Sequence, residues 1–355
     1  MNKIIDWIKR HQIAAFFIFT FAITWGLGFS YDAVLNKGKV FLFPLVAVAT
    51  CGPGLAGIIV TAITNTQPKQ GTKRASWIAF LIALVVSALI SLASILTSNI
   101  TSFSIFLLVL TLITAIPVAF VISMAFSRIP AVKSYLSSLV RLRGMWGWII
   151  LALVLFPALF LLSNIISASL GRQAVAVNQV PQTGPTGWVL IGLIALKFFH
   201  QLFFYNAVGE ETGWRGFALS RMQARFSPLI ACLIISLLWV NWHLFLWKAE
   251  GNPFSSWEYW IVQYALHITT ALIIGWLYNR SRGSILVAGV AHAAANTGNA
   301  VFSNMDSLIL ILVLAVAALV MILADHMWKK LPSDHPAVCQ TPGLGEKNNV
   351  ELSQQ

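Results

Sequence analysis

Two neighbouring glutamates are the residues of this sequence whose type and surroundings most strongly indicate chemistry. Glu210 and Glu211 are the only acidic residues between Asp32 and Glu250, and they directly follow the apolar run 188–208. A carboxylate at membrane depth is energetically costly, so such a residue is by default a candidate for a functional site. The pair therefore predicts a site at which at least one carboxylate has a task.

The motif Glu210-Glu211-x-x-x-Arg215 gives the two carboxylates different surroundings on a helix. Glu211 and Arg215 are four residues apart and share a face, so they can form an ion pair, while Glu210 points elsewhere. Glu210 is then free to meet the interior of a bundle, where it could take a proton from water and return it. The alternative is an ordinary solvated helix end with no catalytic task.

Two further polar pairs lie in later apolar runs, each with a spacing of four residues. They are Trp239 with His243, and His292 with Asn296. Two donors that point into a dry cavity could stabilise an oxyanion, which favours His292 and Asn296 for that task. The alternatives are an interfacial aromatic belt around His243 and simple close packing of the small residues around His292.

Two other histidines, His200 and His267, are predicted to be satisfied polar positions. His200 lies ten residues before Glu210, about 15 Å along a continuous helix, and is expected outside its cluster, whereas His267 has no partner motif. The sequence contains no His-Glu-x-x-His motif, which is typical of helix-borne zinc proteases. It also contains no Gly-x-Ser-x-Gly nucleophile motif.

The composition places these residues in an all-α, polytopic membrane helical bundle. The chain is 58% hydrophobic and only 10% charged, whereas soluble domains are about 25% charged. Ten apolar runs have about the length needed to cross a bilayer as helices, so we expect about ten transmembrane helices. The predicted spans are 13–31, 40–64, 76–97, 104–127, 146–169, 188–208, 228–248, 257–279, 284–302 and 307–325.

The basic residues predict how the bundle is oriented. Of the 23 lysines and arginines, 18 fall in alternate connecting segments, four fall in the others, and Lys197 lies within a span. Basic residues concentrate in cytoplasmic loops, so both termini are expected in the cytoplasm of a multi-pass cell-membrane protein. This placement also explains the net charge of +12 without a nucleic-acid partner.

The chemistry-bearing residues divide the chain unevenly, because the first five spans hold no histidine and no acidic residue. The expected organisation is an N-terminal transmembrane scaffold (1–185), a catalytic transmembrane core (186–303), a last transmembrane helix (304–330) and a disordered cytoplasmic tail (331–355). A basic amphipathic helix on the inner surface is expected within 127–144, and a polar outer loop within 171–187.

Taken in order, Glu-Glu-x-x-x-Arg, aromatic-x-x-x-His and His-x-x-x-Asn resemble the motifs of the CPBP family. These are the CAAX-protease and bacteriocin-processing membrane endopeptidases, also called the ABI family. The resemblance covers roughly residues 190–302. It implies that Glu210 activates a water molecule and that His243 helps to position or activate that water.

The same resemblance implies that His292 and Asn296 stabilise the tetrahedral oxyanion and that Glu211 and Arg215 form a structural ion pair. The family pattern usually has Phe where this chain has Trp239, an exchange expected to change pocket shape more than chemistry. The implied function is hydrolysis of a peptide bond in a membrane-associated peptide or protein, in bacteria for bacteriocin maturation or self-immunity.

Several alternatives remain open at this level. A glutamate-activated water requires no cofactor, but Glu210, His243 and His292 could instead bind Zn²⁺, since two histidines and a carboxylate form a known catalytic set. The protein could also be a non-enzymatic immunity protein that binds a bacteriocin. A proton-coupled transporter using Glu210 is a further alternative, although the chain shows no internal repeat. The expected partners are a peptide or small membrane-associated protein and the lipid bilayer.

The predicted spans also raise a geometric problem. Glu210 falls beyond the inner end of the span 188–208, whereas His243 lies about 22 Å along the next one. For the two side chains to meet, the sixth helix must extend well past its predicted end, or the hairpin must tilt or break. Gly209, Gly213 and Gly216 offer places for a break.

Overall fold

The computed structural model describes residues 2–34, 42–97, 105–172, 187–249, 256–302 and 305–339, and these ranges fold into helices. In chain order the helices are α1 (Asn2–Arg10), α2 (Gln12–Val34), α3 (Leu42–Thr50), α4 (Gly52–Thr64), α5 (Arg74–Leu96), α6 (Ile105–Met124), α7 (Pro130–Leu136), α8 (Trp146–Ser169), α9 (Trp188–Met222), α10 (Pro228–Trp242), α11 (Leu244–Ala249), α12 (Trp257–Arg280), α13 (Ile285–Val301) and α14 (Ser307–Ala324).

The architecture is that of a multi-pass helical membrane protein. Within the described ranges, seven helical segments are long and apolar enough to cross a membrane, and two shorter apolar segments lie in α4 and α6. Large apolar side chains such as Leu81, Leu89 and Leu319 lie exposed on the outside of the bundle. A bilayer tolerates that exposure because its hydrocarbon core is as apolar as those side chains.

Helix α9 differs from the prediction in a way that positions the site. The span expected to end at residue 208 continues to Met222, and the predicted end was therefore wrong. Its part Gln201–Leu219 winds as a π-helix, a wide turn that occurs frequently at functional sites. The helix does not break at its glycines, so extension past the predicted end resolves the geometric problem.

The glycines of α9 instead permit close helix packing. A Cβ atom at Gly209 would lie 2.7 Å from the backbone oxygen of Thr50, and one at Gly213 would overlap Pro53. Thr50 and Pro53 flank the break between α3 and α4, where Pro53 opens the second helix. Small residues allow such backbone approach between membrane helices. The break between α3 and α4 and the glycines of α9 together allow α9 to pack closely against these two N-terminal helices.

The expected surface helix exists as α7 and is followed by a short 3₁₀ turn, Ser137–Leu139. Val132 and Leu136 are buried while Lys133 is exposed, as an amphipathic helix requires. Most of the expected outer loop 171–187 lies outside the described residues.

The start of the expected disordered tail is ordered, which corrects the prediction for residues 331–339. Ala337 is fully buried, its carbonyl oxygen accepts a hydrogen bond from Gln223, and the Cys339 amide donates to the carbonyl oxygen of Ser220. Proline and polarity suggested disorder, but these backbone groups find partners at the end of α9. Residues 340–355 lie outside the described part of the chain.

Candidate active site

Glu211 is the centre of a buried charge network. Its Oε1 atom accepts hydrogen bonds from Arg215 Nη1 and from His292 Nδ1, each at 2.8 Å. Glu211 and Arg215, both in α9, are buried, and His292, which contacts Glu211 from α13, is buried as well. The network therefore ties α9 to α13 and leaves the Nε2 side of the imidazole turned away from the carboxylate.

Glu210, the neighbouring carboxylate, has neutral partners only. Its Oε2 accepts a hydrogen bond of 2.7 Å from the indole Nε1 of Trp239, and its Oε1 lies 3.5 Å from the side-chain amide of Asn206. Glu210 is 3% exposed, and no ion pair involves it in the described ranges. A buried carboxylate whose neighbour takes the available arginine is suited to a base.

Trp239 does more than change the shape of the pocket. Its indole N–H is a donor that phenylalanine lacks, and it is directed at Glu210. The ring also meets His292 edge-on, with centroids 5.1 Å apart, and lies 5.5 Å from the ring of His243. Sequence reasoning identified this position by its ring and missed the hydrogen bond, which the residue type itself would have allowed.

His243 stands at the turn between α10 and α11, where it is half-buried. Its Nδ1 lies 2.9 Å from the carbonyl oxygen of Trp239, so that nitrogen carries the proton and donates. The other ring nitrogen, Nε2, is then the acceptor, which is the form that can take a proton from water. Trp247 stacks on the imidazole at a centroid distance of 5.4 Å.

The two histidines without partner motifs lie closer to the site than predicted. The His267 ring is 4.9 Å from the His243 ring, although its own Nδ1 is satisfied by the Gln263 carbonyl oxygen at 2.8 Å. His200 lines the same cavity as Glu210. His200 was predicted to lie outside the cluster because ten residues separate it from Glu210 along the chain. The contacts of either histidine with other helices could not be derived from the sequence.

Two cavities meet at the candidate residues. The larger, of about 480 Å³, is lined by Glu210, His243 and Asn296 among others. The smaller, of about 230 Å³, is lined by Trp239, His243, His292 and Asn296 among others. His243 and Asn296 therefore belong to both walls. The larger volume lies in the range of sites that bury small ligands or peptide segments.

The Asn296 amide nitrogen is held loosely by α9. It lies 3.4 Å from Gln201 Oε1 and 3.4 Å from Asn206 Oδ1. Both distances exceed those of strong hydrogen bonds, so the group can turn towards a better acceptor. Gln201 and Asn206 were not identified from the sequence, where nothing marks them apart from other polar residues.

The zinc alternative requires Glu210, His243 and His292 to converge as ligands. Across the described ranges, no three His, Cys, Asp or Glu side chains form a group that could hold a metal ion. The Nδ1 atoms of the two histidines are directed to the Trp239 carbonyl oxygen and to Glu211, which leaves Nε2 of each ring as the nitrogen available to a ligand or a water. As placed in the described part of the chain, Glu210, His243 and His292 do not converge into such a group.

The part of the chain that contains the candidate site is similar to known proteins. Residues 192–298 match the family described as type II CAAX prenyl endopeptidase Rce1-like, a peptidase family, which confirms the resemblance seen in the motifs. The CAAX prenyl protease 2 of Methanococcus maripaludis is 28% identical over 138 residues. The match covers 35% of this chain, and the chain spans about half the length (49%) of that curated relative.

Proposed function

We propose that this protein is an intramembrane endopeptidase of the CAAX-protease type, which hydrolyses a peptide bond in a membrane-associated peptide or protein. The observation that carries the proposal is the position of Glu210, which is buried, has no cationic partner in the described ranges and shares one cavity with His243 and Asn296. A general base needs such a carboxylate beside space for water and substrate.

The proposed reaction uses side chains and one water molecule, without a metal or other cofactor. Glu210 takes a proton from a water that His243 orients through Nε2, and the resulting hydroxide attacks the peptide carbonyl carbon. The tetrahedral oxyanion accepts hydrogen bonds from Asn296 and His292, which can stabilise developing charge in a dry site. The carbon–nitrogen bond then breaks as Glu210 returns its proton to the leaving amine.

In this proposal Glu211 and Arg215 act indirectly. Their ion pair directs His292 Nδ1 towards Glu211. With Nδ1–H donated to Glu211, Nε2 on the cavity side can donate to the oxyanion only when the ring carries both protons, so the proposal requires His292 in its imidazolium form. The wider proposal retains about ten membrane crossings with both termini in the cytoplasm. For a bacterial source, the substrate class would be a bacteriocin precursor or a membrane protein processed for self-immunity.

The test compares wild type with Glu210→Gln in detergent, with a chelator present, on a library of lipidated and unlipidated fluorogenic peptides. Glu258→Gln is the matched control, because Glu258 is an exposed glutamate at the start of α12. We expect cleavage by wild type and the control and none by Glu210→Gln.

Three outcomes would contradict the proposal. If Glu210→Gln still cleaved the peptides, Glu210 could not be the general base of the reaction. Loss of wild-type cleavage in chelator, with recovery on adding zinc, would overturn the metal-free reaction. Absence of cleavage by wild type across the library, with protection against a bacteriocin surviving both Glu210→Gln and His292→Ala, would favour a binding-only immunity protein.

A further inference from the structure

A third cavity, of about 410 Å³, lies away from the catalytic residues at the end of the α5–α6 hairpin. Its rim carries Lys69, Lys73 and Arg128. Its floor is aromatic and includes Phe80 and Phe120. A basic rim over an apolar floor is the pattern that fits an amphiphile with a negatively charged head.

The charge of the rim is uncompensated in the described part of the chain. No acidic residue lines the cavity, and no ion pair of the described residues includes Lys69, Lys73 or Arg128. Arg128 is instead positioned by its Nε, which donates to the carbonyl oxygen of Gly71 at 3.0 Å. Three cationic side chains therefore line one cavity without an acidic partner among the described residues.

The position along the helices identifies the kind of anion. The cavity lies where α5 begins and α6 ends. Trp77, which lines the cavity, and Leu81, one turn further along α5, are both exposed. Tryptophan at a helix end is typical of the membrane–water interface. Clusters of basic residues just outside a membrane helix attract anionic lipid headgroups.

We propose that this groove binds an anionic phospholipid, with the headgroup phosphate held by Lys69, Lys73 and Arg128 and an acyl chain against Phe80 and Phe120. By the expected orientation of the bundle, the lipid belongs to the inner leaflet. The site is independent of the proposed peptide hydrolysis, because none of its residues lines the cavities around Glu210.

The test measures lipid binding to the purified full chain by native mass spectrometry, with phosphatidylglycerol and phosphatidylcholine as probes. The double variant Lys69→Gln/Lys73→Gln should bind phosphatidylglycerol about 25-fold more weakly, since each basic residue near the surface contributes about fivefold. Lys3→Gln/Lys9→Gln removes the same charge from exposed positions of α1 and should change the affinity less than twofold.

Further arms separate a lipid site from a general anion site. Lys69→Arg/Lys73→Arg keeps both charges and should bind phosphatidylglycerol as tightly as wild type. The affinity for phosphatidylcholine should be equal in all variants. The proposal is overturned if the groove variant and the α1 variant lose the same affinity. It is also overturned if glycerophosphoglycerol, which lacks acyl chains, competes as well as the lipid, because the aromatic floor would then contribute nothing.

Discussion

Two ion pairs of the same length but opposite burial allow a sharp prediction. Arg215 Nη1 lies 2.8 Å from Glu211 Oε1, and the two side chains are 1% and 0% exposed. Arg280 Nε lies 2.8 Å from Asp325, with side chains 54% and 21% exposed. Replacing each arginine with methionine removes one charge from each pair and keeps a long apolar stem. If distance alone mattered, both substitutions would lower the free energy of unfolding equally. If burial matters, the loss should be much larger for Arg215→Met than for Arg280→Met.

The expected magnitudes follow from the environment. Arg215→Met leaves Glu211 as a buried carboxylate with His292 as its remaining partner. Removing one member of a buried pair typically costs 3–5 kcal/mol, so about 3 kcal/mol or more of unfolding free energy should be lost. Arg280→Met breaks an exposed pair, which typically contributes about 0–1 kcal/mol.

The assay is unfolding in mixed detergent micelles with increasing dodecyl sulfate, followed by far-ultraviolet circular dichroism. A third variant, Glu211→Gln/Arg215→Met, removes both buried charges and should cost less than the sum of its two single changes, because no unpaired ion remains. Equal losses for Arg215→Met and Arg280→Met would refute the reasoning. A double variant that costs the full sum would show that the two charges do not interact.

Other expectations concern packing, titration and catalysis. In the same unfolding assay, Gly213→Ala should destabilise the protein by about 1–3 kcal/mol through overpacking. Gly192→Ala is the control, because no heavy atom lies within 4 Å of the added Cβ, and it should be neutral or slightly stabilising. Burial raises the pKa of Tyr135. Above about pH 10, where an unfolded tyrosine ionises, the folded state therefore retains a proton that the unfolded state loses. The free energy of unfolding should then fall as the pH rises. Tyr135→Phe should flatten that decline, and an unchanged slope would contradict it. His243→Phe should abolish peptide cleavage, while His267→Phe, whose Nδ1 bond is local to its own helix, should retain most of it; equal loss in both would place His267 in the reaction.

Hydropathy and spacing predicted much of this architecture from the sequence. Helices occupy the described part of each predicted apolar run, because membrane helices must be apolar and must satisfy their own backbone. The runs 40–64 and 228–248 each contain two helices where one was predicted. The four-residue spacing of Glu211 and Arg215 predicted a pair that the structure places in contact. Spacings within one helix are fixed by its geometry, so they can be derived before the fold is known.

Contacts between helices could not be derived in the same way. The end of α9 was misplaced because Glu210, Glu211 and Arg215 resemble a solvated terminus in any hydropathy profile, although they are buried. Their burial depends on partners from other helices, such as His292 and Trp239. The order of residues 331–339 escaped prediction for the same reason, since it rests on contacts with the end of α9.

The charged segment inside α9 has a consequence for how the protein is made. A single charged residue at the centre of an isolated helix costs roughly 2.5–3.5 kcal/mol to insert, and α9 carries three of them within six positions, 210–215. The close backbone contacts of Gly209 and Gly213 are with Thr50 and Pro53, which are synthesised earlier. Helices α3 and α4 therefore provide, from the half of the chain without candidate catalytic residues, part of the surface against which the charged segment of α9 is buried.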